Sequence, residues 1–144
     1  MTKRILFLCT GNYYRSRFAE IFFNQQAEQR GLNWRADSCG LALDDRNPGP
    51  ISAHTLAALN ELNIPINGSL RSPRSVTAED FETADYVVAV KEEEHRPVIT
   101  SQFSKFLRNV EFWQVHDLDC AGPEEAIPCL KQHVLDLLDR LAAE

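Results

Sequence analysis

A chain of 144 residues with 44% hydrophobic content can bury one sizeable core and is too apolar to stay disordered. Its formal charge of −6, from 15 Lys and Arg against 21 Asp and Glu, argues against general nucleic-acid binding, so any attraction for phosphate must be local. No apolar run approaches the roughly 18 residues that span a bilayer, and Met1 to Arg4 lead straight into a strand with no signal-peptide cleavage pattern. One cytoplasmic domain over residues 1–144 is expected, with neither membrane nor nucleic acid as partner.

Residues 5–8 are four apolar residues in a row and read as a buried strand. Residues 17–30 read as a helix with Phe18, Ala19, Phe22 and Phe23 on one face, and Gly31 is placed to end it. A second strand is expected over 34–38, then a loop over 39–50 broken by Gly40, Asn47, Pro48, Gly49 and Pro50. Ser52 can cap a helix carrying Leu56, Leu59 and Leu62 on one stripe. After a polar segment over 67–75, Thr77 to Asp80 has the form of a capping box for a short helix. Residues 85–90 are a strongly apolar strand and 91–100 a charged helix or turn. The last strand is expected over 110–115. A long amphipathic helix follows from Pro123, with Leu130, Val134, Leu137, Leu138 and Leu141 inward.

This β-α-β-α-β-α-β-α order, with short links, implies an α/β doubly wound, four-stranded parallel sheet with helices on both faces. Sites in such folds lie beyond the carboxyl ends of the strands. Cys9 follows the first strand directly, Arg15 comes six positions later, and Ser16 opens the helical pattern. A loop of this kind at a helix N-terminus is a phosphate cradle with a built-in nucleophile. Backbone N–H groups of Thr10, Gly11, Asn12, Tyr13 and Tyr14 can turn inward on an oxyanion, and the helix end favours negative charge. The same field favours the thiolate of Cys9, the attacking species. Arg15 offers a planar fork for two phosphate oxygens, Gly11 permits a backbone angle closed to other residues, and Ser16 can donate to the thiolate.

Displacing a phosphate ester needs a proton for the leaving oxygen. Asp117, Asp119, Asp44 and Asp45 are candidates, and Asp117 is favoured because it follows the last strand on the cradle side of the sheet. His116 reads as a surface residue, since neighbours on a loop point apart. The cysteines, Cys9, Cys39, Cys120 and Cys129, contain no Cys-x2-Cys pair, and Cys129 with His133 makes too few ligands for a metal site. No metal or other cofactor is expected.

These residues together resemble the low-molecular-weight protein tyrosine phosphatases, over nearly the whole chain. C-T-G-N-Y-Y-R-S-R-F-A-E is similar to that family's phosphate loop, W-R-A-D-S-C-G to its second strand and turn at Ser38, S-P-R-S-V-T-A-E-D-F to its middle segment with Arg74, Asp80 and Phe81, and D-Y-V-V-A-V to its third strand. The resemblance implies attack by Cys9, a phosphocysteine intermediate, clamping by Arg15, and Asp117 as acid and then base. It implies Asn12 shaping the loop, Ser16 supporting the thiolate, no metal, and a phosphate-ester substrate with phosphotyrosine proteins among the candidates.

The chain departs from the family pattern at several positions. Leu118 replaces a proline beside the acid. Asp119, Cys120 and Asp44 stand near places where aromatics line the cleft, so weak binding of acidic phosphotyrosine peptides is expected. Arg71 stands for a histidine that braces the loop, Lys91 for an acid, and Tyr14 for a second loop cysteine. Tyr13 can supply part of a wall. Two alternatives stay open: an arsenate reductase-like enzyme, which needs further cysteines as a disulfide relay, and a non-catalytic phosphate-binding regulatory module.

Overall fold

Alternation along the first strand, β1 (Lys3–Cys9), divides the interior in two. Ile5, Phe7 and Cys9 point into a core built with α1 (Arg15–Arg30), α2 (Ala53–Glu61) and α5 (Pro123–Ala142). Leu6 and Leu8 point the other way, toward Phe81 of α3 (Ala78–Thr83), Ile99 of α4 (Glu92–Gln102) and Phe106 of a 3-10 turn, Ser104–Asn109. A strand apolar on both faces is what a sheet covered on both faces requires. Each fully buried Leu or Phe contributes roughly 1.5–3 kcal/mol. The computed structural model describes residues 2–66, 71–117 and 122–143.

The remaining strands are β2 (Trp34–Gly40), β3 (Tyr86–Ala89) and β4 (Val110–Phe112). Their order is β2-β1-β3-β4, and every pairing is parallel. The chain winds outward from β1 to β2, then returns to start β3 on the other side of β1. That reversal opens a crevice beyond the carboxyl ends of β1 and β3, and Cys9 is the last residue of β1.

The local signals act as their chemistry suggests. Gly31 ends α1 in the left-handed region at φ 66. Ser52 caps α2 by accepting from His54 N–H at 3.1 Å, and Thr77 and Asp80 form a reciprocal capping box on α3. Several boundaries move. Helix α1 begins at Arg15, so the cradle is only five residues long between strand and helix. Strand β2 runs on to Gly40 because Gly40 pairs with Cys9 of β1; on its other side Gly40 N–H donates to Arg74 O at 2.7 Å and its carbonyl accepts from Val76 N–H at 2.9 Å. The parallel ladder of β4 stops at Phe112, since β3 gives way at Val90 to the turn into α4. Val115 N–H still reaches Val90 O at 2.8 Å, which ties the segment before Asp117 to the crevice. Pro97 lies inside α4. Among the described residues no helix is long and apolar enough to cross a membrane.

Candidate active site

The loop after β1 is organised by Asn12. This residue is fully buried and adopts the left-handed region at φ 50, where the short amide of Asn is tolerated better than most side chains. The left-handed position expected at Gly11 is therefore at Asn12, and a Cβ on Gly11 would meet only ordinary contacts, Asn47 Nδ2 at 3.7 Å and Tyr13 Cβ at 3.8 Å. Asn12 Nδ2 donates to Ser16 Oγ and Ser38 Oγ, both at 2.8 Å. Its Oδ1 accepts from Arg71 Nη1 at 2.9 Å and from Arg74 N–H at 3.0 Å. Ser16 Oγ lies 3.0 Å from Cys9 Sγ, where its hydroxyl proton can be donated to the sulfur as a thiolate.

Arg71 is anchored in turn. Its Nη2 donates to Ser38 O at 2.8 Å and to Glu20 Oε1 at 3.1 Å. A guanidinium thus occupies the bracing position, with more donors than an imidazole and a charge that does not titrate near neutrality. Glu20 is largely buried, and that burial pushes its carboxyl up against the opposing pull of Ser38, Arg71 and Arg17.

Arg15 is 2% exposed. Its Nη1 donates to Val115 O at 3.0 Å and its Nη2 to Glu94 Oε2 at 2.8 Å. Asp117 Oδ2 stands 3.4 Å from the same Nη2. Glu94, in the first turn of α4, also accepts from Thr10 Oγ1 and from His95 Nε2 at 3.0 Å. His95 Nδ1 accepts Lys91 N–H at 3.1 Å, which leaves the ring proton on Nε2. Burial raises the Glu94 carboxyl, but the donors His95, Arg15 and Thr10 together hold it well below the usual carboxylate range. Glu94 and His95 escaped the sequence reading. Lys91 stands where an acid was expected, and the acid on Arg15 comes from one helical turn later.

Cys9, Thr10, Gly11, Tyr13, Tyr14, Arg15, Asp44 and Asp117 line one cleft of about 270 Å³. Asn12 and Ser16 lie behind it. Tyr13 O–H donates to Pro48 O, which fixes its ring against the loop over residues 41–50. That loop is tied to the cradle by Leu41 N–H to Cys9 O at 3.0 Å and Ala42 N–H to Thr10 O at 2.9 Å. Asp44 is not the bare repulsive charge expected on the wall. Arg46 meets it at two points, 2.9 and 3.0 Å, and these bonds hold its carboxyl down at about 2. His116 is exposed as expected. His133 is half-buried and stacked on Trp113 at 4.9 Å. Leu118, Asp119 and Cys120, together with the wall expected from them, lie outside the described residues. Among the described residues no three or more His, Cys, Asp and Glu side chains converge as a metal site would.

The model of the family described as low molecular weight phosphotyrosine protein phosphatase matches residues 4–142. A protein-arginine-phosphatase of Bacillus subtilis is 38% identical over 102 residues, 71% of this chain and 64% of its own length. An arsenate reductase of Bacillus cereus is 35% identical over 88 residues, 61% of this chain and 58% of its own. The chain thus spans less than two thirds of the length of the curated relatives it matches. The solution structure of a low molecular weight protein tyrosine phosphatase from Bacillus subtilis superposes with a TM-score of 0.80 at 27% identity, covering 98% of each chain.

Proposed function

Because the chain belongs to the low molecular weight phosphotyrosine protein phosphatase family, we propose that it hydrolyses phosphorylated proteins through a phosphocysteine on Cys9, without a metal. The observation that carries this reading is the convergence of Cys9, Arg15 and Asp117 on one cleft, with Ser16 O–H on the sulfur at 3.0 Å.

The Cys9 thiolate attacks phosphorus in line with the leaving oxygen, forming the S–P bond as the P–O bond breaks. Backbone N–H groups of residues 10–15 and the Arg15 fork hold the equatorial oxygens, where transition-state charge gathers. Asp117 gives its proton to the leaving oxygen. As a carboxylate it then takes a proton from water, which attacks phosphorus, frees inorganic phosphate and restores the thiolate. Ser16 steadies the thiolate both as attacker and as leaving group. A cytoplasmic location belongs to the same reading.

The test is hydrolysis of an aryl phosphate in EDTA, with the phosphoenzyme trapped by rapid acid quench. Wild type is expected to show a burst of phenol release and a labelled Cys9, and Cys9→Ser neither. Turnover by Cys9→Ser, or loss of turnover to EDTA alone, overturns the mechanism. Phosphate binding without turnover leaves the regulatory-module reading standing instead.

A second substrate reading rests on the 38% identity to an arginine phosphatase, and the same assay on phosphoarginine and phosphotyrosine peptides side by side decides between an N–P phosphoramidate and an O–P ester. Arsenate reduction finds no relay cysteine among the described residues, and Cys120 lies outside them. Cys39 lies across the sheet from Cys9, in the other core, and Cys129 is exposed on α5. Neither is placed to relay a disulfide.

A further inference from the structure

Tyr14 carries a buried hydroxyl with no hydrogen-bond partner among the described residues. The residue is 5% exposed and lines the same cleft as Cys9, Arg15 and Asp117. Its place is fixed. The Tyr14 carbonyl accepts from Phe18 N–H at 3.1 Å and from Thr55 Oγ1 at 3.0 Å, and its ring meets His54 edge-on at 6.1 Å. An orphaned buried hydroxyl is destabilising, and native folds rarely keep one without a use. Burial first, then the charge of Asp117, push this phenol up to about 12. It keeps its proton through the neutral range and has a donor to offer.

Asp117 meanwhile rests 3.4 Å from Arg15 Nη2, on the fork that a phosphoryl group needs in the mechanism above. Binding of substrate therefore displaces the carboxyl group from that nitrogen. We infer that Tyr14 is a positioning residue for Asp117, its hydroxyl taking hold of the carboxyl group that the bound phosphoryl group displaces from Arg15 and keeping it at the leaving oxygen. The inference rests on the phosphatase reading. The bond from Tyr14 strengthens as Asp117 gives up its proton, because a carboxylate is a better acceptor than a carboxylic acid. The interaction is thus stronger in the transition state than before it, which is the condition for speeding the chemical step.

Tyr14→Phe tests this, since it removes the hydroxyl and keeps the ring. Expected is a fall in kcat of about five- to tenfold on phenyl phosphate, a poor leaving group, and less than about twofold on p-nitrophenyl phosphate. The Ki of inorganic phosphate and of vanadate should be unchanged, and Tm unchanged or higher. In an Asp117→Asn background the effect of Tyr14→Phe should vanish, because there is no proton left to place. An equal loss on both esters, persistence of the effect beside Asp117→Asn, or weaker phosphate binding overturns the assignment. If wild type turns over aryl phosphates and Asp117→Asn shows the leaving-group dependence, a silent Tyr14→Phe overturns the Tyr14 role alone. If wild type hydrolyses neither ester, the phosphatase reading falls and the inference with it.

Discussion

Asn12 holds a backbone conformation that costs most L-residues roughly 1–2 kcal/mol, and it does so because four groups grip its amide: Ser16, Ser38, Arg71 and Arg74. Glu94 plays a matching part on the other side of the loop. Its carboxylate meets both terminal nitrogens of Arg15, at 2.8 and 3.4 Å, and so sets the angle of the fork. Glu94→Gln keeps the shape and removes the charge from beside a buried guanidinium. We expect kcat/KM on aryl phosphates to fall by about tenfold or more and Tm to drop with it, while Glu93→Gln, whose carboxylate accepts from Gln114 Nε2 at 2.9 Å, stays within about twofold. Equal effects from the two variants would remove Glu94 from the site. The sequence exposed Cys9, Arg15 and Ser16 because they share one short loop whose spacing carries the chemistry. Glu94 was hidden because it stands 79 positions from Arg15, among three consecutive glutamates whose facing no local pattern determines.

At the scale of elements, Gly40 shows how tightly β2 is laid against the cradle. A Cβ there would come within 2.8 Å of Thr10 O and 3.1 Å of Asn12 Cβ, besides the movable Leu43 side chain. Backbone cannot step aside without moving the loop. Gly40→Ala should therefore cost about 1–3 kcal/mol in urea unfolding and should raise the Ki of inorganic phosphate, whereas Gly49→Ala, with open space around it but φ 74, should lower stability and leave phosphate binding alone. A Gly40→Ala variant with unaltered phosphate affinity would show that the loop is not set by β2. Most elements were legible because their periodicity and caps agree, as at Ser52 and Thr77. Gly40 reads as a loop breaker in sequence, and only the pairing of Cys9 with Gly40 turns it into strand. The 3-10 turn Ser104–Asn109 has no such cue, since Phe106 and Leu107 are ordered by the core they pack against.

Across the whole molecule, the β4 edge of the sheet is fastened by Glu111. Arg140 grips it at 3.0 and 2.8 Å, Trp113 Nε1 donates at 2.6 Å, and Tyr86 O–H donates as well. Burial pushes the Glu111 carboxyl up, but these donors outweigh it and hold it down at about 2. A carboxyl depressed on folding stabilises the native state above its unfolded pKa, and that contribution is lost as pH falls through the folded value. Glu111→Gln should thus lower stability at pH 7 by about 1–2 kcal/mol, discounted for the exposure of Arg140, and should flatten the loss of stability between about pH 4.5 and pH 2. An unchanged acid slope in chemical unfolding would rule out Glu111 as its source. The sheet order was open in the sequence, which specifies strands but not which neighbour each chooses. The parts that grip the cradle come from far along the chain: Arg71 is 59 positions from Asn12, and Val115 is 100 from Arg15. Loops that long must close before any of these bonds forms. The loop after β1 therefore has no native shape in a half-folded chain, and in a refolding experiment the return of the proposed turnover should coincide with the slowest structural phase rather than precede it. Under the proposed activity, turnover then serves as a clock for completion of the fold.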